Sequence, residues 1–327
     1  MDTSMLVISE KDILRAVSLE EIMRAIEKAF LLSAQNSYVM PARTHVEYNG
    51  GTLLFMPCAA DGALGTKYLT LYPSNIARGM PTIYGLMILN DPDTGKPLCV
   101  MDGRALTALR TGAVGGVGLC HTTPEDIGDL GLVGAGEQGF YQLLYASRVR
   151  PLRHIYVYDI DAHRLGAFVA RVQETLGADI AVKACDDPGE LLRRSQAVIT
   201  TTTSRKPVLP GDAALLRGRH FIGIGSYKPF MKEYPDALFP LLDTLFIDTD
   251  VAIEETGDIA APLSAGLLKR EQVLNFGKDY LSLPQKPVVS SGTTLFKSVG
   301  MALFDLVVAN MIFQKAMEKG IGANADI

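Results

Sequence analysis

Residues 132–159 read LVGAGEQGFYQLLYASRVRPLRHIYVYD, and this stretch decides how the second half of the chain folds. Gly131, Leu132 and Val133 end a buried strand, and Gly134, Gly136 and Gly139 then form G-x-G-x-x-G. An apolar helical run follows through Leu143, Leu144 and Tyr145. A second strand, 154–158, delivers Asp159 at its tip, 20 residues beyond Gly139. A glycine turn alone would mean an ordinary strand-to-helix connection, but strand, turn, helix, strand and acid in this order are what holding a dinucleotide requires. Gly134 permits the tight turn, Gly136 lets the backbone approach a pyrophosphate, and Gly139 lets helix and strand pack closely. The helix start turns free N–H groups and a positive dipole end toward the phosphates. Gly134, Ala135, Gly136, Glu137, Gln138 and Gly139 are therefore candidate cofactor contacts. Asp159 is placed to accept from a ribose 2′-hydroxyl and to repel a 2′-phosphate, which favours NAD(H). Arg164 nearby is suited to a 2′-phosphate and keeps NADP(H) possible.

Outward from this stretch, the chain after Ile127 alternates buried strands with helices: DLGLVGAG, HIYVYDI, IAVKACD, AVITTTT, HFIGIGS and TLFIDTD. That alternation predicts a parallel, doubly wound sheet. The first half reads differently. Leu19 to Leu32 repeats apolar residues at helical spacing. THVEY, TLLFMP, ALGTKYLTLY and TIYGLMILND follow as strands, and DPDTGKP at 91–97 is a hairpin turn. Asp102 is the expected N-cap of a helix running to Gly118. Residues 294–317 form one apolar-periodic segment expected to leave the second domain and pack on the first half. Residues 320–327 read as a frayed tail.

The bulk numbers narrow the class. A chain of 327 residues has room for two domains. With 48% hydrophobic and 20% charged residues it reads as soluble and globular. Net charge is −5 and the basic residues are scattered, which speaks against a nucleic-acid or anionic-membrane partner. No signal-peptide pattern opens the chain, and no apolar stretch reaches bilayer length. Cys58, Cys99, Cys120 and Cys185 are far apart and the 5 histidines form no ligand pattern, so no metal is expected and reduced thiols in the cytoplasm fit.

Three basic residues carry possible chemistry. Lys67 lies in a strand between apolar neighbours, where desolvation would lower its pKa toward that of a proton-transferring amine. Arg43 follows Pro41 in an extended segment, and Arg110 lies late in the Asp102 helix. A guanidinium suits a carboxylate because it grips both oxygens.

The chain resembles the ornithine cyclodeaminase/mu-crystallin family over essentially its whole length. The matching pieces are PART at 41–44, GTKY at 65–68, ALRTGAVGG at 108–116, GAGEQG at 134–139, ETGDI at 255–259 and FKSVGMALFDL at 296–306. The resemblance implies a homodimer built from a Rossmann-type NAD(P)-binding domain, 113–299, and an α+β domain for substrate binding and dimerisation, 1–112 with 300–327. It implies that Arg43 and Arg110 hold the carboxylate of a small imino or amino acid, and that Lys67 works near the reacting carbon in proton transfer.

One departure directs the choice of reaction. Deaminating members place an aspartate after the strand that here reads FIGIG. This chain has Gly225-Ser226-Tyr227-Lys228-Pro229 and no acid before Glu233. The G-S-x-K-P form resembles relatives that reduce cyclic ketimines such as Δ1-pyrroline-2-carboxylate, giving L-proline. The expectation is a ketimine reductase. Ornithine cyclodeaminase, a linear amino-acid dehydrogenase and a ligand-binding protein without turnover are the rivals. Softer cofactor contacts are Thr201, Thr202 and Thr203 beside the nucleotide, with Ser226 and Lys297 toward the nicotinamide. Glu255 and Asp258 read as helix caps.

Overall fold

The computed structural model describes residues 4–286, 289 and 291–326. They divide into two units, Met1–Arg110 with Met301–Ile327, and Thr111–Gly300.

The first unit is built on one sheet. Its strands are β1 (Ser4–Ile8), β2 (Tyr38–Val39), β3 (Thr44–Tyr48), β4 (Gly51–Ala60), β5 (Ala63–Leu71), β6 (Ile83–Asn90), β7 (Pro97–Asp102) and a C-terminal strand, Ala323–Asp326. In space the C-terminal strand pairs with β1, and β7, β6, β5 and β4 follow, with β2 and β3 both on the outer edge of β4. β4 through β7 form an antiparallel meander, with short turns between β4 and β5 and between β6 and β7 and a longer connection, 72–82, between β5 and β6, whereas β1 runs parallel to β7. The period-2 alternation of strands sorts their side chains between two faces. Met56, Lys67 and Met87 lie in one cross-strand row, and Cys58, Gly65 and Leu89 in the next. These rows are covered by a C-terminal helix, Ala302–Lys319.

Helices α1 (Glu10–Ala16) and α2 (Leu19–Ala34) pack on the same C-terminal helix. α2 starts where Ser18 and Glu21 exchange side-chain-to-backbone hydrogen bonds. It buries Ile22, Ile26 and Phe30, with Phe30 edge-on to Phe304 at 4.8 Å. Residues 323–326 are not frayed as expected. Gly320 ends the C-terminal helix at φ 62°, and the chain turns back to pair with the open edge of β1. An unpaired strand edge next to the tail supplied the partner that composition did not reveal.

The unit boundary falls within α3 (Gly103–Thr122), where Asp102 accepts from the Arg104 and Ala105 N–H groups, both at 2.9 Å. The helix continues past Gly118 because the guanidinium of Arg150 takes the carbonyls of Leu119 and Cys120. In the second unit β8 (Asp129–Val133), β9 (His154–Tyr158), β10 (Ala181–Ala184), β11 (Ala197–Thr200), β12 (His220–Gly223), β13 (Thr244–Ile247), β14 (Val273–Asn275) and β15 (Thr294–Lys297) make a parallel sheet. Their order is β10-β9-β8-β11-β12-β15-β13-β14. Helices α4 (Glu137–Val149), α5 (Ala162–Leu176) and α6 (Pro188–Arg194) connect the first strands. This is the expected doubly wound, Rossmann-type arrangement, carried in one chain with an α+β unit. Residues 294–317 do not form a single helix. Thr294–Lys297 is a fully buried parallel strand, and the helix starts only at Ala302. Short apolar runs look alike in a strand or a helix until a sheet claims them.

Candidate active site

The chain enters the second sheet at β8, winds outward through β9 to β10, and returns to β11 on the other side of β8. The crevice at that reversal lies beyond the carboxyl ends of the strands, the usual place for a ligand in such sheets. Gly134 follows β8, Asp159 follows β9 and Thr201 follows β11. Together with Gly136, Thr202 and Thr203 they line a cleft of 720 Å3.

Each motif glycine has its own reason to be there. Gly134 sits at φ 110°, a conformation costly for a residue with a Cβ, and a Cβ there would meet Thr201 Oγ1 at 2.7 Å. At Gly139 a Cβ would collide with the Gly134 carbonyl oxygen. At Gly136 it would meet nothing within 4 Å and would project into open space. Gly136 is also the N-cap of α4 and offers no side chain to the first-turn N–H groups, whose positive helix end suits an anion. Ala135 donates its N–H to Asp159 Oδ2 at 2.6 Å, and Asp161 donates to Oδ1 at 2.8 Å, so the acid is held at the lip of the cleft. Glu137 is exposed in the first turn of α4, and Gln138 Oε1 is buried without a hydrogen-bond partner among the described residues. Arg164, Arg205 and Lys206 supply positive charge along the same cleft. These residues fit a nicotinamide dinucleotide.

Ser226 and Lys297 do not line this cleft. Both are fully buried, with Lys297 Nζ donating to the Gly223 carbonyl at 3.2 Å and lying 4.0 Å from Glu233 Oε2. Asp258 is no helix cap. It is buried and accepts the N–H groups of Glu233 and Tyr234, while Thr256 caps that helix.

The first unit holds a second polar centre. Lys67 points from β5 into the sheet's covered face and is 1% exposed. Its Nζ donates to Asp305 Oδ2 at 2.7 Å, and Arg110 Nε donates to Asp305 Oδ1 at 2.9 Å. One carboxylate, in the first turn of the C-terminal helix where the helix dipole favours an anion, thus holds two cations. Burial pulls the Lys67 ammonium down to about 8. Asp305 opposes the fall, whereas Arg110 and, more weakly, the half-buried Arg43 add to it. The three basic residues expected to share a site thus act on one another within one unit. Asp305 escaped sequence reading, although FKSVGMALFDL contains it. A carboxylate flanked by Phe304 and Leu306 in an apolar helix was the available signal, because such a charge must be paired when buried.

The ornithine cyclodeaminase/mu-crystallin family model matches residues 2–320. A Δ1-pyrroline-2-carboxylate reductase of Bacillus cereus is 31% identical over 97% of this chain and 98% of its own length. The structure of Thermococcus litoralis Δ1-pyrroline-2-carboxylate reductase in complex with NADH and L-proline is 31% identical, covers 98% of this chain and 100% of that one, and superposes with a TM-score of 0.91. An archaeal alanine dehydrogenase dimer with bound NAD is 30% identical, covers 98% and 99%, and gives 0.89. With its glycine-lined cleft, its buried lysine and a family match along nearly the whole length, the chain belongs to the ornithine cyclodeaminase/mu-crystallin family.

Proposed function

We propose that this chain is an NADH-dependent reductase of the C=N bond of a small cyclic imino acid, with Δ1-pyrroline-2-carboxylate to L-proline as the model reaction. The observation that carries the reading is the Lys67–Asp305–Arg110 cluster. A buried amine near 8 is mostly protonated at neutral pH yet able to release its proton. A nicotinamide dinucleotide held in the cleft would supply the hydride for the imine carbon, and the imine nitrogen would take a proton. Lys67 holds and delivers that proton. Arg43 and Arg110 orient the substrate carboxylate, since positioning is most of what hydride transfer asks of a protein. Residues 1–112 with 300–327 serve the substrate and residues 113–299 the dinucleotide. Asp159 makes NADH the preferred cofactor, and NADPH a slower one.

Glu233 supports reduction over cyclodeamination. It is the first acid after the position where deaminating relatives carry one, but it is fully buried and its oxygens are occupied by N–H and O–H donors. It has no room to activate water. A second reading, a linear amino-acid dehydrogenase, is favoured by the likeness to the alanine dehydrogenase.

The reading includes a homodimer in the cytoplasm. Phe55 and Leu86 flank Tyr68 in a cross-strand row on the uncovered face of the first sheet, with Tyr84 and Val46 beside them. An apolar face of this kind marks an interface, and Leu86→Glu should halve the mass measured by light scattering. Among the described residues no helix is long and apolar enough to cross a membrane.

The test is NADH oxidation by the purified protein on adding Δ1-pyrroline-2-carboxylate, with NADPH and with pyruvate plus ammonia alongside. Rapid oxidation with the cyclic imine, lost in Lys67→Ala, is expected. Turnover with pyruvate and ammonia only would move the assignment to a linear amino-acid dehydrogenase.

A further inference from the structure

Glu233 is a carboxylate sealed inside the second unit, and each of its oxygens serves a different loop. Oε1 accepts from the Thr202 N–H at 2.7 Å and the Thr202 hydroxyl at 2.9 Å, both on the loop after β11. Oε2 accepts from the N–H groups of Gly225 at 3.0 Å and Ser226 at 3.1 Å, on the loop after β12. The Glu233 backbone carbonyl accepts the Val208 N–H at 2.8 Å, and the neighbouring Lys232 N–H donates to the Ser204 carbonyl at 2.9 Å. Residues 202–208, one whole wall of the cleft, are therefore fastened at both ends to Glu233 and its neighbour. Asp258 fastens Glu233 in turn: its Oδ1 accepts the Glu233 N–H at 2.8 Å, and its Oδ2 accepts the Ser226 hydroxyl. Lys297, 4.0 Å from Oε2, offsets the buried charge. Gly225 lets the two loops meet, since a Cβ there would collide with the Thr202 backbone.

We propose that Glu233 is a positioning residue for the dinucleotide, a two-loop clamp that holds wall 202–208 in its binding shape before the ligand arrives. The proposal rests on the reading that the 720 Å3 cleft takes a nicotinamide dinucleotide. A wall that must be ordered at the moment of binding costs affinity, and a preordered one does not. Glu233 touches neither cofactor nor substrate, so its effect belongs in cofactor affinity.

Glu233→Gln keeps the shape and removes one acceptor, turning an NH2 group toward N–H donors. Two measurements on the purified protein decide: NADH affinity by fluorescence titration, and amide hydrogen exchange of residues 202–208 without ligand. The expected result is a Kd for NADH raised about tenfold or more, the equivalent of one lost charge-assisted hydrogen bond. Exchange of 202–208 should accelerate while that of 83–102 stays unchanged, and kcat at saturating NADH should move less than about threefold. A folded variant in which either the Kd or the exchange of 202–208 keeps its wild-type value overturns the clamp. Should Glu233→Gln fail to fold, Thr202→Val removes the hydroxyl that donates to Glu233 Oε1 and accepts the Ser204 N–H. Because Thr202 itself lines the cleft, the ligand-free exchange decides here: faster exchange of 202–208 supports the clamp, and unchanged exchange overturns it. Absence of NADH binding by the wild-type protein would instead refute the dinucleotide reading, leaving the exchange result to judge the clamp alone.

Discussion

Lys67 Nζ donates to Asp305 Oδ2 at 2.7 Å across 238 residues of sequence, joining a central strand to the helix that closes the same unit. The bond keeps a buried ammonium charged that burial would otherwise discharge further. If Lys67 delivers the proton, imine reduction should decline as pH rises through about 8, and the reverse oxidation should increase over the same range. Asp305→Asn removes the opposing anion, so both limbs should move to lower pH. A pH–rate profile of the variant that coincides with wild type would contradict this role. Asp305→Ala strands two buried cations and should cost about 3–5 kcal/mol in urea unfolding. For stability the sign follows from the lowered pKa. Unfolded chains bind more protons here between about 8 and the ordinary lysine range, so the contribution of Lys67, present at high pH, is lost as pH falls through about 8. Lys67→Met should flatten that slope.

Gly136 and Gly139 should fail in opposite ways. Gly136→Ser places its side chain in open space at an N-cap, where a hydroxyl satisfies the first-turn N–H groups. The ligand-free protein should be as stable as wild type or slightly more so, and NADH binding should fall at least about tenfold, because those N–H groups are the expected phosphate donors. Gly139→Ala drives a methyl into the Gly134 carbonyl oxygen and should destabilise by about 1–3 kcal/mol. Thermal unfolding and NADH titration of both variants separate the two effects. A Gly136→Ser protein that binds NADH normally would place the phosphates elsewhere.

Asp159 holds the glycine turn through Ala135 and faces the cleft. Asp159→Ser should raise the KM for NADH about tenfold or more, since a charged acceptor is lost. It should also raise the ratio of NADPH to NADH turnover, because the charge that repels a 2′-phosphate is gone while Arg164 remains. An unchanged ratio would mean that the preference comes from the shape of the cleft rather than from this carboxylate.

Much of this was legible because local rules state it. The turn at 134–139, the cap Asp102 and the alternation of strands each need only a few neighbouring residues. Asp305 and Glu233 were not, because their meaning lies in partners brought by topology. Asp305 meets Lys67 only once the C-terminal helix returns to the first unit, and Glu233 meets Thr202 only once β11 and β12 are adjacent. Lys297 and Ser226 came from the family resemblance of FKSVG and of the G-S-x-K-P form, which carries no information on burial, and both side chains are buried in the interior. Residues 294–297 went unread as a strand, since nothing local distinguishes them from a helix start.

His220 opens β12 and is 3% exposed, its Nδ1 2.9 Å from Thr294 Oγ1 on the neighbouring β15. Burial, aided by the positive charge of Arg150, pulls the imidazole down to about 4. The folded value lies below the ordinary value of 6.5, so neutral His220 contributes stability that is fully present above that value. As pH falls from 6.5 through about 4, the unfolded chain takes up a proton that the folded chain resists, and that stability is lost. His220→Asn keeps a polar partner for Thr294 and removes the titration. Urea midpoints measured at intervals from pH 7 to pH 4 should therefore fall more steeply for wild type than for the variant. Parallel slopes would mean that the imidazole is protonated in the folded protein, with a rearranged contact to Thr294.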